Sequence, residues 1–129
     1  MGIDMDKYQW GCEIVVVEYD DGIYRTYYRE TIPKSEYTLF NAVRRICELN
    51  DAINPEFIRI DTTNSDLAIE TLHQYGIEHP ESGLIQKARG VHFGSNDDFL
   101  DPFTKEVVHK NIKELMVNTW VKLFEEHRI

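Results

Sequence analysis

The polarity pattern of residues 12–33 predicts a β-hairpin. Cys12–Tyr19 is rich in β-branched residues, which is typical of a strand buried on both faces. Asp20-Asp21-Gly22 follows, and an Asp-Gly pair between two strand-like runs is a strong hairpin signal. Ile23–Ile32 then mixes aromatic, β-branched and charged residues, so we expect a half-exposed antiparallel partner that ends at Pro33.

Helical spacing begins after this hairpin. Ser35–Asn50 carries apolar residues three or four positions apart, with charged residues off that face, which predicts an amphipathic helix. Phe57–Asp61 predicts a short strand that ends in an acid. The capping residue types of Thr62–Ser65 then precede a second predicted helix, Asp66–Tyr75, which should end at Gly76.

The last third of the chain predicts one more strand and a long helix. Leu84–Phe93 favours at least one strand, with Gly90 as an irregularity, and Asp97–Pro102 favours an acidic loop. Thr104–Glu126 has the spacing of a long amphipathic helix. Strands thus pair first as a hairpin and then alternate with helices. This order predicts an α/β fold in which the first strands of a mixed sheet are antiparallel, the later strands are parallel, and helices flank the sheet.

Composition narrows the class of protein. A chain of 129 residues, 42% of them hydrophobic, suits one domain with a real core. Its longest apolar run is Ile14–Val17, far short of the roughly 18 residues of a membrane span, so we expect no membrane association. The net charge of −9 disfavours a protein that coats DNA by charge alone. An acidic chain can still meet DNA where metal ions offset a local cluster of carboxylates.

Two acids stand out by position. Asp4 follows Gly2-Ile3, which we interpret as the end of a strand entering a loop. Asp61 is the last residue of the predicted strand Phe57–Asp61. In open α/β sheets, sites form beyond the carboxyl ends of strands. Two carboxylates on neighbouring strands repel unless a cation lies between them, and oxygen ligands suit Mg²⁺ or Mn²⁺. The other interpretation is that Asp61 caps the next helix and Asp4 is a surface residue.

A series of stretches, in order, carries a family resemblance. They are Gly2-Ile3-Asp4, Glu13–Glu18 (EIVVVE), Tyr24–Ile32 (YRTYYRETI), Pro33 with Tyr37-Thr38, Phe57–Asp61 (FIRID), Glu70-Thr71-Leu72 through Tyr75-Gly76, and Asp101–Glu106 with the helix that follows. Together they cover most of the chain, and the series resembles the C-terminal nuclease domain of the large terminase subunit of tailed phages, which has an RNase H-like fold.

The resemblance implies a fold, an activity and a setting. Residues 1–129 would form a single RNase H-like nuclease domain in which Asp4 and Asp61 are catalytic and hold Mg²⁺ or Mn²⁺ in a two-ion site. The activity implied is a divalent-metal-dependent endonuclease that cuts concatemeric double-stranded DNA during genome packaging. The implied partners are the terminase motor domain, the small terminase subunit and the portal, in the cytoplasm of an infected bacterial host.

Three departures from the family pattern qualify this expectation. Thr62–Asp66 stands where many members have a glycine-rich stretch. The family's third acid would lie beyond Ile129, and few residues precede Asp4. We therefore expect a domain truncated at both ends that cuts DNA weakly or not at all by itself.

Other residues and other functions stay open. Candidate replacements for the third acid are Asp97, Asp98, Asp101 and Glu114, and Asp6 and Asp66 are candidate outer ligands. The basic residues most able to meet phosphates are Arg25, Arg29, Arg44, Arg45, Lys87 and Arg89. His73, His79, Cys12 and Cys47 are expected to be structural or surface residues. The alternative functions are a non-catalytic docking module of the packaging motor, or another RNase H-like nuclease of the resolvase or transposase type.

Overall fold

The computed structural model describes residues 1–6, 11–63, 65–92, 96–100, 107–111, 121–122 and 125–126. Its strands are β1 (Gly2–Asp6), β2 (Gly11–Asp20), β3 (Ile23–Pro33), β4 (Ile58–Asp61), β5 (Ala88–Val91), β6 (Asn96–Leu100) and β7 (Val107–Asn111). Its helices are α1 (Leu39–Ile53), α2 (Leu67–Glu78) and the single turn α3 (Leu84–Lys87), with a 3₁₀ turn at Pro80–Ser82.

Five strands form a mixed sheet in the order β3-β2-β1-β4-β5. The pairs β1–β2 and β2–β3 are antiparallel, whereas β1–β4 and β4–β5 are parallel. The predicted α/β fold is therefore confirmed: the first strands are antiparallel, the later strands are parallel, and the arrangement is RNase H-like. β6 and β7 form a separate antiparallel pair.

The β2–β3 hairpin is built around the predicted Asp-Gly turn. Asp21 and Gly22 have φ angles of 49° and 78°, and two consecutive positive φ values are what a tight turn between twisted strands requires. The pairing register shifts between Val16 and Val17, which leaves Tyr27 as the extra residue of a β-bulge on β3. The predicted hairpin is confirmed.

The core lies on one face of the sheet. Alternate residues of the strands and the inner faces of α1 and α2 form one buried cluster, which includes Ile3, Ile14, Ile60, Ile46 and Leu72. On β2, Cys12, Ile14 and Val16 are buried, whereas Val17 is 38% exposed. The prediction that β2 is buried on both faces was wrong, because α1 and α2 pack on the same side of the sheet. The other side, which carries residues such as Asp4, Glu13 and Arg59, is called the open face below.

Helix α1 begins later than predicted and runs further. The Thr38 hydroxyl accepts a hydrogen bond from the Asn41 backbone N–H at 3.0 Å, so Thr38 is the N-cap and the helix starts at Leu39 rather than Ser35. The helix ends at Ile53 and is capped by Asn54, whose backbone is left-handed.

Two side-chain networks fasten α1 to the rest of the domain. Arg45 Nε donates to the Glu30 carboxylate of β3 at 2.7 and 2.9 Å. At the other end of the helix, Asn50 is buried and its amide donates to the Ser82 carbonyl at 2.9 Å. Lys87 Nζ donates to Asn50 Oδ1 at 3.0 Å and to Asn54 Oδ1 at 2.6 Å. The second network therefore ties α1 to the segment that leads into β5.

Glycine has a packing role where the sequence suggested a helix end. α2 continues through Gly76 to Glu78, and a Cβ at Gly76 would lie 3.0 Å from Ile85 Cγ1 and 3.3 Å from Leu84 Cβ. The predicted end of α2 at Gly76 was wrong because this glycine allows α3 to approach. Leu84 itself lies in α3, so the strand predicted from Leu84 begins at Ala88 instead.

The C-terminal predictions also need correction where residues are described. Asp97 and Asp98 lie in strand β6 rather than in an acidic loop. Val107–Asn111 is strand β7, within the segment predicted as a helix over Thr104–Glu126. Val121 and Lys122 are helical. Asp101, Pro102 and Glu114, and the remainder of the predicted helix, lie outside the described residues.

Candidate functional site

The two predicted acids lie on the two parallel strands at the centre of the sheet. Gly2 pairs with Arg59 and Ile3 with Ile60, so Asp4 and Asp61 occupy the next position along β1 and β4. Neighbouring strands lie about 4.8 Å apart. Both acids line one depression of about 280 Å³ on the open face.

Asp4 lies within a strand rather than beyond one. β1 continues to Asp6, so Asp4 is at its middle, and it is exposed to solvent. The prediction that Asp4 enters a loop was wrong, because the ladder with β2 runs on through Met5 and Asp6 to Cys12 and Gly11. The backbone of Asp4 is therefore held in the sheet by β2.

Asp61 ends β4, as predicted, and one oxygen of its carboxylate is fixed. Asp61 Oδ1 accepts hydrogen bonds from the Thr63 backbone N–H at 2.9 Å and from the Thr63 hydroxyl at 2.6 Å. This is a local turn of the kind that Asp forms with the residue two positions on. Neither bond uses Asp61 Oδ2. Asp61 does not cap α2, because the side-chain acceptor for the Leu67 N–H is Ser65 Oγ at 3.1 Å.

A third acid, Glu13, lies beside these two and was not among the residues predicted from the sequence. Glu13 pairs directly with Asp4 in the β1–β2 ladder and lines the same depression. Hydrogen bonds from the Thr31 hydroxyl and from Arg29 Nε hold the pKa of Glu13 below its usual value, so it is a carboxylate at neutral pH. The alternation of polar and apolar residues along β2 could have placed Glu13 on the exposed face of the sheet. Only the pairing register of β1 with β2 shows that Glu13 lies beside Asp4. Glu13, Asp4 and Asp61 are called the acidic row below.

A row of arginines runs beside the acidic row. Arg29 pairs with Val15, Val15 with Gly2, Gly2 with Arg59, and Arg59 with Arg89. These residues lie on the open face. Each is two positions along its strand from the row that contains Glu13, Asp4 and Asp61, which separates the two rows by about 6.7 Å. Val15 and Gly2, which has no side chain, lie between Arg29 and the other two. Arg29, Arg59 and Arg89 are called the arginine row below.

The arginines of this row are exposed and retain donors. Arg59 Nη1 donates to the Lys87 carbonyl at 2.9 Å, and its guanidinium lies 5.1 Å from the centre of the Phe57 ring. Arg89 Nη1 donates to the Ile85 carbonyl at 2.6 Å. Each guanidinium has five N–H groups in a planar fork, so these contacts fix the side chains and leave further donors for a phosphate.

The acidic row offers the type of ligand atom that hard divalent cations prefer. Its ligands would all be carboxylate oxygens, which Mg²⁺ and Mn²⁺ prefer. In the described part of the chain, no three His, Cys, Asp or Glu side chains are already grouped as a metal site. Glu13 is held by Arg29 and Thr31. Asp4 and Asp61 would therefore bind first, and Glu13 would join them only by leaving its present partners.

Other predicted candidates have structural contacts. His73 Nε2 lies 2.9 Å from the Ala88 carbonyl oxygen, and His79 stacks on Tyr75 with ring centres 4.2 Å apart. Burial raises the pKa of the Cys12 thiol to about 12 and that of Cys47 to about 11, so neither is a nucleophile at neutral pH. The basic candidates that bond to other described side chains away from the open face are Arg44, Arg45 and Lys87.

Comparison of the chain with protein-family models, curated proteins and solved structures gives no match. In the described residues, no helix combines the length and the apolar character needed to cross a bilayer.

Proposed function

We propose that this domain is a divalent-metal-dependent endonuclease that hydrolyses phosphodiester bonds in double-stranded DNA, as the nuclease of a phage packaging terminase does. The observation that carries the proposal is the acidic row on the open face with the arginine row beside it. Asp4 and Asp61 hold the metal, and Glu13 is the nearest candidate for a third ligand. The cellular setting proposed is the cytoplasm of an infected bacterium.

The two rows divide the work of phosphodiester hydrolysis between them. Asp4 and Asp61 would hold Mg²⁺ or Mn²⁺, which when bound would supply the activation of water and the stabilisation of the leaving oxygen. The carboxylates of Asp4 and Asp61 fix the position of the cations on rigid neighbouring strands. The guanidinium groups of Arg59 and Arg89 bind the phosphates next to the scissile bond as two-pronged donors. Because the arginines are exposed, they reach a duplex without a change in the sheet.

Metal binding would also reduce the electrostatic repulsion between this acidic chain and DNA. The chain carries a net charge of −9, which repels the polyanionic duplex. Cations in the acidic row and phosphate contacts at the arginine row reverse that repulsion locally. We therefore expect DNA affinity to require the metal and to fall steeply as salt rises.

The first experiment measures metal binding through stability. Millimolar Mg²⁺ or Mn²⁺ should raise the melting temperature, because a ligand at about 100 times its dissociation constant stabilises the folded state by roughly 2.7 kcal/mol. Asp61→Asn should abolish most of that gain. The asparagine oxygen can still accept the bonds from Thr63, so the turn survives while the charge is lost. Asp51→Asn, on the exposed side of α1, is the matched control and should keep the full gain.

The second experiment measures nicking of supercoiled plasmid with Mn²⁺ and with a chelator. Any activity of this chain should need Mn²⁺ and disappear in Asp4→Asn and Asp61→Asn. Activity that is also lost in Glu13→Gln would assign the third ligand to Glu13.

Several outcomes contradict the proposal or redirect it. Equal stabilisation of the parent and Asp61→Asn by metal would remove Asp61 from the ligand set. No metal effect and no cleavage of plasmid would favour the docking-module alternative. Cleavage that prefers branched junctions over linear duplex would favour a resolvase-type enzyme.

A further inference from the structure

Glu13 in the acidic row already has a cationic partner, Arg29. Glu13 Oε1 accepts a hydrogen bond from Arg29 Nε, and Oε2 accepts one from the Thr31 hydroxyl at 2.5 Å. Thr31 is the direct partner of Glu13 in the β2–β3 ladder, and Arg29 precedes it by two positions. The Glu13 carboxylate is therefore bonded towards β3, whereas Asp4 lies on β1, on the other side of β2.

The contact with Arg29 offsets a repulsion within the acidic row. Asp4 and Glu13 are directly opposite each other in the β1–β2 ladder, and like charges in directly opposite positions destabilise a sheet. The guanidinium beside Glu13 reduces this repulsion in the metal-free protein. Arg29 thus supplies at Glu13 the positive charge that a divalent cation would supply when bound.

A divalent cation and Arg29 would compete for Glu13. A cation that reaches the Glu13 carboxylate comes close to the guanidinium, and the two positive charges repel each other. This repulsion does not act on the neutral Thr31 hydroxyl. The side chains of Arg29 and Glu13 are 70% and 30% exposed, and exposed ion pairs contribute little to stability. The cation can therefore displace Arg29 into solvent at low cost.

Displaced Arg29 is a phosphate-binding group on the same face of the sheet. It lies three strands from Arg59 in the arginine row, which is about 14 Å across the sheet. At that separation the two arginines can bind different phosphate groups of one duplex. Release from Glu13 frees Nε, one of the five N–H donors that a guanidinium offers to phosphate oxygens.

We propose that Arg29 is a switch between the two rows: it pairs with Glu13 in the metal-free protein and binds a DNA phosphate once a divalent cation has taken its place. The inference rests on the proposed nuclease function and adds regulation to it. Because Arg29 cannot serve Glu13 and a phosphate at once, the cation raises the affinity for DNA, and DNA raises the affinity for the cation by the same factor. The site is therefore complete only when the cation and the duplex are both bound.

NMR of the arginine Nε–H groups follows the switch directly. Mg²⁺ is the probe, without DNA, and the Arg29 signal is identified by its absence from Arg29→Gln. Mg²⁺ should move this signal towards its position in Glu13→Gln, where the ion pair is lost. Arg44 is paired with an acid of its own helix, so its signal is the control and should not move.

The same spectra separate failure of the switch from failure of the proposed function. Backbone amide signals of Asp4 and Asp61 that shift with Mg²⁺, while the Arg29 signal stays in place, would overturn the switch and leave the metal site standing. No shift at any of these signals would overturn both.

Calorimetric titration with Mn²⁺ measures the competition. Arg29→Gln should bind Mn²⁺ about 3-fold more tightly than the parent or better, because Glu13 no longer has a competing cation. Arg89→Gln is the matched control, since it removes a charge at the opposite end of the arginine row, where Arg89 donates to backbone carbonyls. It should change the affinity less than about 2-fold, because exposed charges are screened.

A double-mutant cycle shows whether the effect passes through Glu13. In the Glu13→Gln background, Arg29→Gln should no longer tighten Mn²⁺ binding. Circular dichroism checks that each variant is folded. Equal gains in Arg29→Gln and Arg89→Gln, or a gain that persists in Glu13→Gln, would mean that net charge alone sets the affinity, which contradicts the switch.

DNA binding tests the other half of the switch. Fluorescence anisotropy of a labelled duplex at low salt, with Mn²⁺ or with a chelator, gives the dissociation constant in each condition, and a gel checks that the duplex stays intact. Arg29→Gln should weaken binding about 3-fold or more with Mn²⁺ but less than about 2-fold with chelator. Arg89→Gln should weaken binding by the same factor in both. An equal effect of Arg29→Gln in the two conditions would overturn the coupling, and no duplex binding by the parent with Mn²⁺ would overturn the proposed function as well.

Discussion

Replacing Asn50 tests how strongly α1 depends on its buried polar network. Asn50 is 3% exposed and uses both ends of its amide, donating to the Ser82 carbonyl and accepting from Lys87 Nζ. Asn50→Ala removes one neutral hydrogen bond, worth about 1 kcal/mol, and one bond to a charged group, worth about 1.5–3 kcal/mol. We therefore expect the free energy of unfolding to fall by about 2.5–4 kcal/mol.

Urea unfolding followed by circular dichroism measures this loss. With an m value of about 2 kcal/mol/M, the midpoint should fall by about 1–2 M. Asn41→Ala is the matched control, since its amide makes an exposed hydrogen bond of 2.8 Å to the Glu36 carbonyl and should cost less than about 1 kcal/mol. A double-mutant cycle with Lys87→Met should give a coupling energy of about 1 kcal/mol or more. Equal losses in Asn50→Ala and Asn41→Ala, with no coupling, would refute the reasoning.

Three further predictions concern pH, thiol chemistry and close packing. Hydrogen bonds from Arg45 lower the pKa of Glu30 in the folded state. The stability that this contact provides is therefore complete above the unfolded pKa of about 4.5 and is lost as pH falls through the lower folded pKa. Glu30→Gln should make the urea midpoint depend less on pH over this acidic range. Burial raises the pKa of Cys12 to about 12, so its thiol should resist Ellman's reagent at pH 8 until urea unfolds the domain; rapid reaction of native Cys12 would contradict this. A Cβ at Gly90 would lie 2.6 Å from Thr62 Cγ2, so Gly90→Ala should lower stability by about 1–3 kcal/mol, and adding Thr62→Ser should recover part of the loss; an unchanged urea midpoint in Gly90→Ala would contradict the close contact.

The sequence predicted correctly the elements whose conformation is set by neighbouring residues in the chain. The Asp21-Gly22 turn predicted the hairpin because the turn itself requires positive φ angles. Gly76 misled the prediction because its role is a contact with α3, which no local pattern reveals. The apolar spacing around Val107–Asn111 suggested a helix, whereas the structure pairs that segment with β6. A strand partner distant in sequence can override helical periodicity.

The candidate site was predictable only in part for the same reason. Asp61 was identifiable because a strand end is visible in the sequence. Asp4 was correctly assigned to β1 but wrongly to its end, since the length of β1 depends on its pairing with β2. Glu13 and the arginine row became visible only through the cross-strand register. Alternation along one strand shows which residues share a face, but not which residues of neighbouring strands lie side by side.

The parallel contact between β1 and β4 also fixes the order in which the candidate site can assemble. β2 and β3 meet across a tight turn, whereas Gly2 meets Arg59, and closing a loop of roughly 57 residues costs about 3.6 kcal/mol of chain entropy. The hairpin can form early, but Asp4 and Asp61 come together only when this long loop closes. During synthesis on the ribosome, Asp4 emerges first, and β2, β3 and the whole of α1 are made before Asp61. A partly made or partly unfolded chain therefore has no acidic row, and metal binding would report completion of the sheet.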